Sequence, residues 1–288
     1  LDYVVVLDKV GEPEKIVSGT TQLTKSPDRL YIAELTAKFV QAAGIMQDGF
    51  SFQAGAGGTA LAFAIYLKEM MIEAGVKARF VRGGSTKYLV EMLEEGLTDY
   101  ILDGQTFDLE GVRSMRENEG HVNTSPFTSY NWHGKGNFAS LLDAVVLGAT
   151  EVDVNFNANV VTHSDGQMLH GIGGWQNCLF SKCTILPIPA FRDRIPVIVD
   201  EVTTLVGPGE LVDVIVTERG IAINPLRTDL IEATKNSGLP IRTIQELKAE
   251  IDDLIGGTPQ KPKLTDEPIG VVKCVDGTVM DTIFRIEN

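Results

Sequence analysis

Between residues 49 and 117, short apolar runs alternate with segments of helical spacing, and that rhythm narrows the fold sharply. Residues 49–52, 78–81 and 100–102 read as strands; residues 59–74, 86–95 and 109–117 read as helices. Strand and helix alternating at this spacing predict an α/β fold: an open, mainly parallel sheet with helices on both faces. Upstream, residues 3–7 form a short β-prone run. Ser26-Pro27-Asp28 then supplies a cap, a proline at the first helical position and an acid in the first turn of a helix that Gly44 stops. Downstream, strands are expected at 144–147, 152–156, 160–162, 184–187, 196–199, 212–217 and 221–223. Helices are expected at 175–180, from Asn224 to about Lys235 and at 243–254. Residues 256–268, rich in Gly, Pro and Lys, read as a linker before a hairpin around Asp276-Gly277. The expected organisation is one α/β domain over 1–257, with the linker and terminal hairpin over 258–288 packed on it. The stretch 121–137, with Pro126, Phe127, Tyr130 and Trp132, breaks the rhythm and is either a functional loop or a structural excursion.

Two glycine-rich loops stand at strand-to-helix junctions: Gln53-Ala54-Gly55-Ala56-Gly57-Gly58-Thr59 and His170-Gly171-Ile172-Gly173-Gly174. At such a junction free backbone N–H groups and the positive end of the helix dipole face a ligand together. Neither loop keeps the G-x-G-x-x-G spacing of dinucleotide-binding folds, and neither ends in the Gly-Lys-Ser/Thr of a phosphate-binding loop. Acyl transfer fits better, because a thioester carbonyl gains negative charge on oxygen when attacked and backbone amides can receive it. The amides around Gly55, Gly57 and Gly58 are the proposed donor set, and tight turning is the alternative use of the same glycines.

Other residues leave a choice of roles. His163, Asp165 and His170 flank the second loop and are able to do acid–base or positioning work, or to serve as polar surface. Arg79, Arg82 and Lys87 bracket Gly83-Gly84, where they hold a tricarboxylate or phosphate, or are plain surface cations. Asn155, Asn157 and Asn159 alternate along an extended segment, placing three amides on one side for a carboxylate, a pantetheine amide or the chain itself. No H-E-x-x-H pattern occurs and no metal is assigned; no G-x-S-x-G surrounds any serine.

Formal net charge is −14, spread along the chain, which argues against nucleic-acid binding. Three cysteines without a C-x-x-C pair read as reduced thiols of a cytoplasmic protein. No signal peptide or membrane span is expected, and Leu1 in place of an initiator Met points to a processed chain or a fragment.

With these segments in view, the sequence resembles the citrate lyase alpha subunit family, of the CoA-transferase superfamily. The resemblance rests on Phe52-Gln53-Ala54-Gly55-Ala56-Gly57-Gly58, Phe80-Val81-Arg82-Gly83-Gly84, Asn123-Thr124-Ser125-Pro126-Phe127, the run from Asn159 through Gly174, and the run from Val212 to Gly220. It implies a chain corresponding to the carboxyl-terminal part of a longer protein, whose amino-terminal half lies outside it. It implies a CoA-transferase-like fold and exchange of acetyl for citrate on a carrier thioester, giving citryl-carrier protein and acetate. The thiol would belong to a dephospho-CoA-like arm on an acyl carrier (gamma) subunit, with CoA as the free equivalent and no cofactor held by this chain. A lyase (beta) subunit would cleave the citryl thioester, and an oligomeric assembly is expected.

The approach to the second loop, Val161-Thr162-His163-Ser164-Asp165-Gly166, lacks the glutamate nucleophile that many CoA transferases carry. The resemblance therefore implies direct attack by citrate within a ternary complex, through a mixed anhydride. By the same resemblance Gly55, Gly57, Gly58, His163 and Asp165 would be catalytic. Gln53, Arg82, Asn157, Asn159, Gly171, Gly173 and Gly174 would bind substrate or thioester. Two other readings are a general CoA transferase or thioester hydrolase acting on free CoA esters, and a carrier-binding module inactive without the missing half.

Overall fold

The computed structural model describes residues 2–11, 21–130, 137–169, 171–257, 260–274 and 276–287. In chain order the first half runs α1 (Pro27–Ala42), β1 (Phe50–Ala54), α2 (Gly58–Ala74), β2 (Ala78–Ser85), α3 (Lys87–Glu94), β3 (Ile101–Thr106), α4 (Leu109–Glu117), β4 (His121–Asn123) and α5 (Pro126–Tyr130). Next come β5 (Ala144–Val146), β6 (Glu151–Asp153), β7 (Ala158–Asn159), α6 (Trp175–Cys178), β8 (Thr184–Pro187), β9 (Phe191–Arg192), β10 (Ile195–Pro196) and β11 (Ile198–Val199). The chain closes with β12 (Val214–Thr217), β13 (Gly220–Ile223), α7 (Thr228–Thr234), β14 (Ile241–Arg242), α8 (Ile244–Ile255), β15 (Leu264–Lys273) and β16 (Val279–Ile286).

Nine strands form the main sheet in the order β14-β13-β12-β8-β5-β1-β2-β3-β4, and every neighbouring pair is parallel except β12 with β13. The order reverses between β1 and β5. From β1 the chain winds outward through β2, β3 and β4, and then returns to lay β5 on the other side of β1. In open α/β sheets the crevice outside the carboxyl ends of the strands at such a reversal is where ligands bind.

Side-chain alternation divides the apolar residues between the two faces. Val214, Val216, Ile185, Ala144, Val146, Phe50 and Phe52 pack with Ile32 and Phe39 of α1, Phe63 and Leu67 of α2, and Leu89 of α3. Their neighbours Ile215, Leu186 and Val145 face the opposite way, toward Leu247 and Ile251 of α8. The same second face takes the small sheet β11-β6-β7 and, through Val272 and Ile283, the antiparallel hairpin β15–β16. Among the described residues no helix is long and apolar enough to cross a membrane.

The α/β expectation is met, and the departures are local. Residues 3–7 form no strand: Tyr3, Val4 and Val6 are exposed, and no strand among the described residues pairs with them. Residues 160–162 are not a strand either, because Asn159 Oδ1 accepts from the amides of Val161 and Thr162 at 3.0 and 3.1 Å and turns the chain. Asn224 does the same at Leu226 (3.1 Å), so α7 starts later than expected. The stretch 121–137 contributes edge strand β4 and short α5, while Trp132 and His133 lie outside the described residues. Residues 264–268, expected as linker, belong to β15.

Candidate active site

At the reversal between β1 and β5 lies a cavity of about 500 Å³, within the usual range for small-molecule sites. Gly55, Gly57 and Gly58 line it from the loop after β1. Val146 to Thr150 line it from the end of β5, Pro187 and Pro189 from the end of β8, and Ile172 and Trp175 from the second glycine loop. The fold thus brings the two glycine loops to one cavity.

The first loop feeds directly into α2, whose first intrahelical bond runs from the amide of Leu61 to Gly57 O at 2.9 Å. The amides of Gly58, Thr59 and Ala60 precede that ladder, and no acceptor is present for them among the described residues. Gly57 has φ −74° and ψ 155°, and a Cβ there would meet nothing within 4 Å. Gly58 is different: a Cβ would stand 2.8 Å from Gln22 O and 2.9 Å from the amide of Thr24. The glycine is there because residues 22–24 cross over the start of the helix. The second loop leads only into the single turn of α6, with Gly174 at its start and Gly173 at φ 59°. His170 lies outside the described residues.

The cavity holds two cations that were not anticipated from the sequence. Arg29, in the first turn of α1, and Arg192, at the end of β9, both line it. The Arg192 guanidinium donates to Ala149 O, and no carboxylate lies within ion-pair distance of either arginine among the described residues. Burial, and next the like charge of Arg29, hold Arg192 below the ordinary arginine pKa, with Glu151 opposing. The sequence does carry a signal for Arg29. A cation in the first turn of a helix opposes the macrodipole, so it needs a reason outside helix stability.

The other anticipated residues sit elsewhere. Gln53 and Arg82, paired in register across β1 and β2, are buried beneath α6: Arg82 Nη1 donates to Gln53 Oε1 at 2.9 Å, and Gln53 Nε2 to Cys178 Sγ at 2.9 Å. Burial pushes the Cys178 thiol up to about 11. Asn157 is committed to Asp153 (3.0 Å) and to the amide of Gly209 (2.9 Å), and Asn159 to Glu151 (3.0 Å) and Thr162 (2.9 Å). Their amides hold the β6–β7 turn together. His163 and Asp165 are exposed on a turn where Asp165 Oδ1 accepts from the amide of Gln167 at 2.9 Å, and neither lines the cavity. Gly83 and Gly84 serve close packing, since a Cβ would meet Ala54 O at 2.6 Å and the Phe107 ring at 1.7 Å respectively. Among the described residues no group of three His, Cys, Asp or Glu side chains is placed to hold a metal.

A cavity lined by helix-start amides on one side and, on another, by two guanidinium groups without a carboxylate partner among the described residues is suited to anionic oxygen. Residues 1–286 match the citrate lyase alpha subunit (CitF) family. The citrate lyase alpha chain of Klebsiella pneumoniae is 40% identical over 100% of this chain and 57% of its own length, and that of Escherichia coli strain K12 is 38% identical over 100% and 56%. A solved structure of a citrate lyase alpha subunit from Streptococcus mutans, in complex with citrate, superposes with a TM-score of 0.94 at 42% identity, covering 100% of this chain and 57% of that one. A malonate decarboxylase alpha subunit from Acinetobacter baumannii, at TM-score 0.58 and 18% identity, shares the fold. The chain therefore spans a little over half the length of these relatives, and it belongs to the citrate lyase alpha subunit family.

Proposed function

We propose that this chain supplies the citrate-facing wall of a transferase that exchanges acetyl for citrate on a carrier thioester. The observation that carries the reading is the cavity at the β1–β5 reversal, where the α2 amides and the Arg29–Arg192 pair converge. The relative from Streptococcus mutans with bound citrate supports the choice of acid.

In this reading one citrate carboxylate attacks the acetyl thioester carbonyl. The C–S bond breaks, the carrier leaves as thiolate, and an acetyl–citryl anhydride remains. The thiolate then attacks the citryl carbonyl and acetate departs, so atoms and charge balance. The α2 amides are placed to stabilise the oxyanion of each addition, and holding both reactants in one cavity supplies the proximity. The thioester is that of a dephospho-CoA-like arm on an acyl carrier subunit, or of CoA itself. A lyase subunit consumes the product, and the assembly works in the cytoplasm as part of the citrate lyase complex.

Gly171, Gly173 and Gly174 fit the thioester arm, since in sequence they flank Ile172 and Trp175, which line the cavity, and a Cβ at Gly171 or Gly173 meets nothing within 4 Å. The test is acetyl-to-citryl exchange on acetyl-carrier protein, run with this chain and with a full-length family chain. Exchange by the full-length chain is expected. Equal use of free acetyl-CoA would favour a general CoA transferase, and failure of exchange by the full-length chain would overturn the reading.

A further inference from the structure

Arg29 and Arg192 come from distant parts of the chain, α1 and the β9–β10 hairpin, yet they approach closely enough for the charge of one to disfavour that of the other. Two like charges at one cavity, with no carboxylate paired to either among the described residues, leave a standing repulsion that a bound anion relieves. One carboxylate answers one guanidinium. Both are answered only when two carboxylates arrive on one small molecule.

We infer that Arg29 and Arg192 form a polycarboxylate clamp that selects a di- or tricarboxylic acid over a monocarboxylic one, a tricarboxylic acid so held keeping its third carboxylate for the amides at the start of α2. The inference rests on the function proposed above and names the residues that recognise its acid substrate. Arg192 is the fixed jaw. One of its N–H groups is spent on Ala149 O, which sets the plane of the guanidinium and leaves its other donors for bidentate contact. Arg29 is the exposed jaw, at the rim, where an incoming acid meets it first. The clamp also explains how a chain of net charge −14 admits a trianion: the attraction is local, while the overall field repels. Because acetate satisfies only one guanidinium, the leaving product is held less firmly than the entering substrate.

The test uses a full-length family chain carrying these residues, with Arg29→Gln, Arg192→Gln and Arg192→Lys variants. Citrate, tricarballylate and acetate binding are measured by titration calorimetry, and exchange kinetics are recorded alongside. Each Gln variant is expected to weaken citrate and tricarballylate by about tenfold or more, in line with loss of a charge-assisted contact. Acetate affinity should stay within about twofold. KM for citrate should rise while kcat holds within about threefold, and Arg192→Lys should recover part of the loss. Arg29 is exposed, so its variant keeps the question open to test if Arg192→Gln fails to fold. Exchange by the unsubstituted chain together with unaltered citrate binding in the variants would overturn the clamp and leave the proposed reaction standing. Citrate binding that the variants lose, in a chain that performs no exchange, would support the clamp and overturn the reaction.

Discussion

At Gly58 the two nearest atoms to a new Cβ are backbone, Gln22 O and the Thr24 amide, and backbone does not rotate out of the way. Gly58→Ala should therefore push residues 22–24 off the start of α2 and destabilise the fold by about 1–3 kcal/mol, read as a lower thermal midpoint. At Gly57 the backbone is already in a conformation any residue adopts, and the space ahead of it is open. Gly57→Val should keep the wild-type midpoint within about a degree but, by crowding the cavity, reduce exchange about 100-fold in the full-length chain. Equal exchange rates for variant and wild type would remove the first loop from the chemistry. These glycines were legible because their spacing after a strand has few uses. Arg192 was not, and Arg29 only through its charge against the helix dipole, because nothing local announces that residues 29 and 192 meet; only the packing of α1 and the β9–β10 hairpin around the sheet puts them at one cavity. For Arg82, Asn157 and Asn159 the residue types alone could not distinguish contact with a ligand from contact with the chain, and the structure gives each a protein partner.

At the scale of elements, one carboxylate couples four of them. Asp103 on β3 is fully buried and accepts from Ser85 Oγ of β2 at 2.6 Å, from Thr106 Oγ1 at 2.9 Å and from the Gln105 amide at 2.8 Å. His121 Nε2 of β4 lies 3.3 Å away, and its Nδ1 meets Ser114 Oγ of α4 at 2.8 Å. Burial pushes the Asp103 carboxyl up, but the donors from His121, Ser85, Thr106 and Gln105 together outweigh it and leave it below the usual aspartate value. A depressed folded pKa means that the unfolded chain binds the proton first. The stabilisation is complete above the unfolded value of about 3.9 and is lost as pH falls through the lower folded value. Asp103→Asn should accordingly lower stability at neutral pH, and the gap between variant and wild type should narrow below about pH 4. A gap independent of pH in denaturant titrations from about pH 7 to about pH 3 would show that the charge of Asp103 does not stabilise the sheet edge. The strand and helix around this cluster were legible from periodicity. The edge strand β4 was not, since a three-residue strand with an exposed Val122 and Asn123 carries no alternation long enough to read.

For the whole molecule, the second face of the sheet is closed largely by segments downstream of the α/β alternation. The hairpin β15–β16 sends Val272 and Ile283 into the cluster that contains Val152, Ile198 and Ile215, and Asp281 Oδ2 accepts from the amide of Leu205 at 2.7 Å. Residues 264–268 look like linker because Pro, Lys, Asp and Glu dominate their neighbourhood, and their side chains are in fact mostly exposed; what makes them strand is pairing with β16. If the hairpin were an appendage, truncating its inward side chains would leave the α/β body unchanged. Its geometry predicts the opposite. Ile283 is 7% exposed, and Ile283→Ala removes apolar volume at the joint between hairpin and body, at a cost of about 2–4 kcal/mol. The transition should stay single and cooperative at a lower denaturant midpoint, because the residues that lose contact belong to the same cluster as α8 and β12. An exposed partner on the same strand, Arg285→Ala, breaks a surface ion pair with Glu267 and should shift the midpoint little. Equal, small shifts for the two variants would mean that the hairpin folds on its own account and does not close the core.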